Sequence, residues 1–224
     1  GSLVVKNVNA NVTGEAYSGS VTYEATNTAA STIKIGTAAT TVKAKGADAA
    51  IALTVDAATV GGTAGALTIG DGGAVAGDIS VTGIESNVSI ADTFTGTGDI
   101  TLTTADATMA LALGTSTTGT RTIDASTSGA DKTVTITGSD ALTLTSATTD
   151  LVMETYAGAV SGEITNVDNM SISTGTGATG LTLKGNTSGK TVTIDADADT
   201  GTGGALSLAN GGSVQGHVSI TGLE

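Results

Sequence analysis

The 224-residue chain contains no cysteine, no proline and no tryptophan, and it has only one phenylalanine and one histidine. Without cysteine it has no disulfides, no zinc ribbon and no thiol nucleophile. A Ser-His-Asp triad would depend on His217 alone, and a metal site built on two histidines is excluded. We therefore expect a protein that is not an enzyme.

Basic side chains are also scarce. Eight Lys and Arg residues stand against 21 Asp and Glu residues, which gives a net charge of −13. A nucleic-acid surface needs a basic stripe, so no nucleic-acid partner is expected. No apolar run approaches the roughly 18 residues of a membrane-spanning helix, so no direct membrane insertion is expected.

The residues that are abundant predict an all-β fold. Apolar residues make up 39% of the chain and aromatic residues only 2%, so the core must consist of small aliphatic side chains. Val, Ile or Leu alternates with Thr or Ser in short runs bounded by Gly, Asp, Asn or Ser, a pattern typical of strands with one buried face. The runs lie at residues 3–5, 20–23, 32–35, 51–55, 66–69, 78–81, 99–102, 133–136, 141–144, 163–165, 180–183, 191–194, 205–208 and 217–220.

The chain contains a long internal repeat. Residues 15–85 align without a gap to residues 154–224, with 30 identities in 71 positions. We call the constant displacement between the two copies, from Glu15 to Glu154, the long offset. We expect residues 1–14 to be a tag scar (Gly1-Ser2) and a lead-in strand, residues 15–153 a first long repeat, and residues 154–224 a partial second one. We expect the chain to be a window from a longer repetitive protein.

A shorter echo of the form V-x-G-x-[IV] begins at Val75, Val160 and Val214. It suggests one structural coil of about two dozen residues, used several times in each long repeat. Short strands, few aromatics and internal repetition together favour a parallel β-solenoid (β-helix) with short coils. The absence of proline agrees with internal strands that donate every N–H. Tandem antiparallel β-sandwiches are the alternative, because their strand density is similar.

One segment has metal-ligand spacing. Asp195, Asp197 and Asp199 alternate in a turn, and three such carboxylates suit a hard cation such as Ca²⁺. The equivalent turn of the first repeat keeps only Asp56, so a solvated acidic turn is the other interpretation. Tyr17 and Tyr156 occupy equivalent positions, which indicates a packing role.

Residues 160–172 (VSGEITNVDNMSI) and 75–90 lie in a Thr-, Ala- and Gly-rich acidic chain without cysteine. These segments resemble the β-rich lattice domains of surface-layer (S-layer) proteins that Gram-negative bacteria export by type I secretion. Large secreted adhesins share the composition. The resemblance implies an extracellular location at the bacterial cell surface, self-association and dependence on Ca²⁺.

The sequence therefore predicts a structural module of an extracellular bacterial surface assembly. It would associate with other copies or with neighbouring repeats, and cell-surface polysaccharide is a further partner to consider. The alternative is the elongated stalk or passenger region of a secreted adhesin, which would stay monomeric.

Overall fold

The computed structural model describes most of the chain. The described residues are 1–26, 29–44, 52–59, 62–71, 77–91, 98–114, 120–165, 168–185, 188–197, 202–212 and 215–223. These residues form strands joined by turns and contain no helix.

Twenty-one strands are present in the described residues. They are β1 (Leu3–Val8), β2 (Val12–Thr13), β3 (Val21–Ala25), β4 (Ser31–Lys34), β5 (Thr40–Ala44), β6 (Leu53–Asp56), β7 (Leu67–Asp71), β8 (Ile79–Ile84), β9 (Val88–Ile90), β10 (Ile100–Thr104), β11 (Met109–Ala112), β12 (Arg121–Ala125), β13 (Thr133–Thr137), β14 (Leu142–Ser146), β15 (Asp150–Val152), β16 (Val160–Thr165), β17 (Met170–Ser173), β18 (Thr179–Lys184), β19 (Thr191–Asp195), β20 (Leu206–Asn210) and β21 (His217–Thr221).

The strands alternate between two parallel sheets. The odd-numbered strands form an 11-stranded sheet, the odd sheet, and the even-numbered strands form a 10-stranded sheet, the even sheet, each in sequence order. Every coil therefore contributes one strand to each sheet and stacks on the coil before it. This arrangement is the predicted β-solenoid. The alternative of tandem sandwiches is wrong, because their strands would pair antiparallel and not with the next coil.

The length of a coil varies between turns. Ile100 pairs with Arg121, and Arg121 pairs with Leu142, so these two successive coils are equally long. The shortest coil runs from Val134 to its partner Leu151, and the longest include the one from Thr40 to its partner Leu67. The expected coil of about two dozen residues agrees with this range.

The V-x-G-x-[IV] echo does not mark one position of the coil. The segment from Val160 to Ile164 lies inside β16, whereas Gly77 and Gly216 precede β8 and β21. Val75 and Val214 lie outside the described residues. The echoes that begin at Val75 and Val214 are equivalent positions of the two long repeats, whereas the one at Val160 is a separate occurrence.

The core is a stack of aliphatic ladders between the sheets. Inward residues that are in register on successive even strands are each at most 1% exposed, and they form one continuous column. Its members are Ile33, Val55, Val81, Leu102, Ile123 and Leu144. Identical or similar small side chains fill such a column without aromatic residues, which explains the composition.

Equivalent residues of the two long repeats lie in opposite sheets of the solenoid. Val55 lies in β6 of the even sheet, and its repeat equivalent, Ile194, lies in β19 of the odd sheet. The long offset thus advances the chain from β6 to β19, which is an odd number of strands, and each strand is one half of a coil. Because strands alternate between sheets, the second repeat is turned by half a revolution about the solenoid axis relative to the first.

Candidate functional site

The acidic turn predicted as a metal site begins where β19 ends. Asp195 is the last residue of β19 and is half-buried, Asp197 is exposed, and Asp199 lies outside the described residues. The Asp195 carboxylate accepts the backbone N–H of Asp197 through Oδ1 at 3.2 Å. Asp195 therefore closes its own turn, as aspartates commonly do.

The equivalent turn of the first repeat has the same geometry. Asp56 Oδ1 accepts the backbone N–H of Ala58 at 3.0 Å. Beneath the two turns lie Gly83 and Gly222, with φ of 65° and 66°. A Cβ on Gly222 would come within 2.7 Å of Asp195 Oδ1, so only glycine fits there. The turn-closing role of the aspartate is thus common to both repeats.

The described part of this turn supplies the carboxylates of Asp195 and Asp197. One oxygen of Asp195 already accepts a backbone hydrogen bond. No group of three or more His, Asp or Glu side chains suited to a metal ion occurs among the described residues. The Ca²⁺ site at Asp195, Asp197 and Asp199 stays a prediction.

A row of hydroxyl side chains runs along the outer face of the even sheet. The row consists of outward-facing residues that are in register on successive strands, and we call it the hydroxyl row. Its members are Thr32, Thr54, Ser80, Thr101, Thr122, Thr143, Ser161 and Ser207. Gly180 interrupts it between the last two serines. Successive hydroxyl groups are spaced at the inter-strand distance of about 4.8 Å.

The interruption at Gly180 forms a shallow depression of about 500 Å³ in this face. Thr143, Ser161 and Ser207 line it, together with Glu163, its one ionisable lining residue. Its lining contains no aromatic ring. Such a surface offers hydrogen bonds to a polyhydroxyl ligand without the stacking platform that sugar-cleaving enzymes use.

The chain's single arginine is buried in the core. Arg121, the first inward residue of β12, is 1% exposed, and its Nε lies 3.3 Å from Asp140 Oδ2. The buried Tyr156 hydroxyl donates to the backbone carbonyl of Asp140 at 2.5 Å. Burial lowers the pKa of Arg121, and the nearby Asp140 carboxylate opposes that shift.

Burial raises the pKa of Tyr156 well above its ordinary value, and the Asp140 charge adds to the increase. The Tyr156 hydroxyl is therefore protonated and donates its hydrogen bond as a neutral group. The cluster is buried, and it links three successive coils, because Arg121 begins β12, Asp140 precedes β14 and Tyr156 precedes β16. Sequence reasoning missed it, although Arg121 alternates with Ile123 and Ala125 and thus occupies an inward position.

Tyr17 and His217 lie at the surface or near it. Tyr17 is half-buried and donates to the Gly1 carbonyl at 3.3 Å, which repeats the Tyr156 contact at the same sequence separation. His217 is exposed on the edge strand β21. The structure brings neither residue to a second catalytic group among the described residues.

Comparison with protein-family models, with curated proteins and with solved structures found no match to this chain. In the residues that the structure describes, no helix has the length and apolar character needed to cross a bilayer.

Proposed function

We propose that this chain is a structural module of an extracellular bacterial surface assembly of the S-layer kind, located at the cell surface and not an enzyme. The observation that carries the proposal is the half-turn between the two long repeats. It presents equivalent surfaces on opposite faces of one rigid solenoid, displaced along its axis.

Two equivalent surfaces on opposite faces favour open assemblies. If one such surface binds a neighbour, its equivalent binds another neighbour on the other side, and the contacts do not close into a dimer. For example, Glu24 faces outward on the odd sheet, and its equivalent Glu163 faces outward on the even sheet. A module of this kind suits a lattice or filament.

The acidic surface supports a role for cations in the assembly. A net charge of −13 keeps copies apart in solution, and divalent cations reduce that repulsion or bridge carboxylates. We propose Ca²⁺ as the cation, with Asp195, Asp197 and Asp199 as ligands. The hydroxyl row is the surface that we propose for contact with cell-surface polysaccharide.

The second candidate is the stalk of a secreted adhesin, and the stiffness of a continuous solenoid favours it. Ten inter-strand spacings give the odd sheet a length of about 48 Å. A stalk keeps neighbouring copies apart, so the two candidates differ in self-association.

Light scattering and negative-stain electron microscopy of the purified chain, with Ca²⁺ and then with a chelator, separate the candidates. Ordered sheets or filaments that disappear with the chelator are expected for the surface assembly. A monodisperse, elongated monomer at every protein and Ca²⁺ concentration contradicts it and supports the stalk.

A mutation tests whether the repeated surfaces mediate the contacts. Glu24→Lys and Glu163→Lys each reverse the charge of one side chain on one of the two equivalent surfaces. Either change alone is expected to shorten the assemblies, because each chain then has only one surface that can still bind a neighbour. Assemblies that are indifferent to both changes place the contacts elsewhere.

A further inference from the structure

The two ends of the solenoid have strand edges that are unpaired in the described residues. β1 and β2 form one end, which we call the lower end, and they pair only with β3 and β4. β20 and β21 form the other, the upper end, and they pair only with β18 and β19. Each end therefore presents backbone N–H and C=O groups that can pair with a further parallel strand.

The upper end is equivalent to an interior level of the first repeat. The long offset relates β20 to β7 and β21 to β8. In β8 the inward residues Ile79 and Val81 are covered by β10 of the next coil and are at most 1% exposed. Their equivalents Val218 and Ile220 are 39% and 38% exposed. The upper end thus lacks only the coil that covers the same positions in the first repeat.

The lower end is also equivalent to an interior level. The long offset relates β1 to β14, and the registers agree, because Leu3 pairs with Val21 as Leu142 pairs with Val160. Leu142 rests on β12 and is 2% exposed, whereas Leu3 is 40% exposed. The lower end thus lacks the coil that supports the same positions of the second repeat.

The corner between β1 and β2 repeats its hydrogen bond as well. Asn11 Oδ1 accepts the backbone N–H of Thr32 at 2.9 Å. At the equivalent corner, Asp150 Oδ1 accepts the backbone N–H of Ser171 at 2.6 Å. The first two strands therefore have the same local structure as β14 and β15, which stack on β12 and β13.

The upper end offers what β1 and β2 need below them. β21 (HVSIT) and β13 (TVTIT) belong to the same sheet and have Val and Ile at the same two inward positions. β20 (LSLAN) has leucine at its first two inward positions, Leu206 and Leu208. Neither strand has an inward charge or a bulge, the features that protect a sheet edge from further pairing.

The number of strands determines how a second copy can stack on this end. Strands alternate between the sheets and β21 lies in the odd sheet, so the next position is on β20 in the even sheet. A copy in the same orientation would place its β1 on β21. Its β2 would then lie two inter-strand spacings above β20, which is too far to pair. A copy turned by half a revolution places β1 on β20 and β2 on β21, each at a single spacing.

We propose that the upper end of one copy binds the lower end of a second copy, which is turned by half a revolution about the solenoid axis, so that both sheets continue from copy to copy. The two contacting surfaces differ, so the contact propagates into a filament and does not close into a dimer. Twenty-one strands make ten and a half coils, which gives an axial rise of about 50 Å for each copy.

The internal registers specify the contacts. Carried over by the long offset, the pairing of β12 with β14 places Leu3 of the bound copy against Leu206. The pairing of β13 with β15 places Val12 of the bound copy against Val218. A bulge follows Lys6 in β1, so the new ladder on β20 ends there. The inward side chains that are exposed at each end become buried in the filament.

This contact goes beyond the proposed function and does not rest on it, because it uses strand edges and not the outward faces that carry Glu24 and Glu163. It also needs no cation. A chelator therefore distinguishes it from the Ca²⁺-dependent assembly that we propose above.

The test is sedimentation velocity and negative-stain electron microscopy of the 224-residue chain over a range of protein concentrations. High NaCl screens the net charge, and EDTA removes divalent cations. We expect filaments one solenoid wide that lengthen with concentration. Successive copies are expected to be related by half a revolution and a rise of about 50 Å.

Two variants each block one end. Val218→Lys places a charge at an inward position of the upper end, and Leu3→Lys does so at the lower end. Every contact needs one end of each kind, so either variant alone is expected to remain monomeric. Ser219→Lys is the matched control, because Ser219 faces outward on the same strand, and its filaments are expected to persist. Circular dichroism checks that each variant is folded.

An equimolar mixture of the two blocked variants restores a single contact. The upper end of Leu3→Lys and the lower end of Val218→Lys are both intact. We expect a heterodimer with twice the mass of either variant alone, and no longer species. A variant that had lost its fold would not form this dimer, so the mixture also separates a blocked end from an unfolded chain.

Three outcomes overturn the proposal: an original chain that is monomeric at every concentration, filaments that persist in both blocked variants, and a mixture that forms no heterodimer. Sheets that form with Ca²⁺ and are indifferent to Leu3→Lys and Val218→Lys contradict this inference and leave the proposed function intact. Single filaments in EDTA that never form sheets with Ca²⁺ support this inference and contradict the proposed lattice.

Discussion

At the corners of the solenoid, single residues decide how closely two coils stack. The residue two positions before a strand lies directly on the backbone of the same corner one coil below. A Cβ on Gly158 would be 2.1 Å from the Asp140 carbonyl oxygen, and a Cβ on Gly177 would be 1.9 Å from that of Gly158. These glycines are required by close backbone approach and not by their φ angles.

Gly158→Ala is therefore expected to destabilise the fold by about 3 kcal/mol, at the upper end of overpacking effects. Gly180→Ala is the matched control, because its Cβ would meet no atom closer than 3.9 Å. Urea unfolding of the two variants provides the comparison. Equal stabilities of the two variants contradict the view that close backbone approach requires glycine at position 158.

The buried ion pair makes Asp140 dependent on Arg121. Arg121→Met leaves a carboxylate that is only 6% exposed without its guanidinium partner, and it is expected to cost about 3–5 kcal/mol. The double variant Arg121→Met/Asp140→Gly removes both charges. It also places at position 140 the glycine that the next two coils have at the same corner, Gly158 and Gly177. It is expected to recover most of the loss. A double variant no more stable than the single one, measured by denaturant unfolding, contradicts this account.

Because of Tyr156, the fold is expected to lose stability as the pH rises into the alkaline range. Its pKa is raised in the folded state, so folding favours the protonated phenol. That contribution is complete below the unfolded-state pKa of about 10 and is lost as the pH rises above it, by up to about 1.4 kcal/mol per pH unit. Burial raises the pKa of Tyr23 as well, so Tyr156→Phe is expected to remove only part of this slope.

Thermal unfolding between about pH 9 and pH 11 measures the slope. Tyr17→Phe, which removes the equivalent hydroxyl from the half-buried first copy, serves as the control. An unchanged slope in Tyr156→Phe means that another group governs alkaline stability.

Between neighbouring strands of a sheet, side chains at the corners add hydrogen bonds that link one coil to the next. Asn or Asp directly before a strand accepts the backbone N–H of a residue in the next coil. Examples are Asn87 Oδ1 with Ala110 N at 2.8 Å and Asp99 Oδ1 with Thr120 N at 2.8 Å. These ladders fix the register at the corner, where strand pairing ends.

Asn87→Ala removes such an acceptor and is expected to destabilise the fold by about 1 kcal/mol, the net value of one hydrogen bond. Asn87→Asp keeps the acceptor oxygen and is expected to stay within about 0.5 kcal/mol of the original chain. The check is the midpoint of denaturant unfolding. Similar losses in both variants assign the effect to something other than the acceptor.

The sequence predicted two-thirds of the strands in the described residues, and the strands that it missed share a physical reason. Fourteen expected runs lie on strands. Among the missed strands, β15 has only three residues, and β12 begins with Arg121 and contains Asp124, so its apolar alternation is hidden. These strands form because their neighbours on both sides supply hydrogen-bond partners, which local propensity does not report.

For the molecule as a whole, stability is a sum over neighbouring coils. Inner coils contact a coil on each side, whereas the described ends expose apolar side chains. Leu3 and Val4 are 40% and 51% exposed, and Val218 and Ile220 are 39% and 38% exposed. Terminal units of a stacked fold are expected to open first.

Amide hydrogen exchange is therefore expected to be about a hundredfold faster in β1 and β21 than in β12 and β14. Mass spectrometry of peptides from these strands measures it. Uniform protection along the chain contradicts this prediction and indicates a fully cooperative unit. If the chain assembles end to end, the difference shrinks as the protein concentration rises.

The fold class and the repeat follow from the linear order of residues alone. Alternating Val, Ile, Leu and Thr, a supply of small aliphatic side chains and the long offset are local or linear properties, and they suffice to predict a β-solenoid. Only the folded chain reveals that equivalent residues of the two repeats lie in opposite sheets, because an offset in sequence does not show that it spans an odd number of strands. The same holds for the burial of Arg121 beside Asp140 and for the position of Lys34 between Glu15 and Asp56. Those contacts join residues one coil apart in sequence, which meet only when one coil stacks on the next.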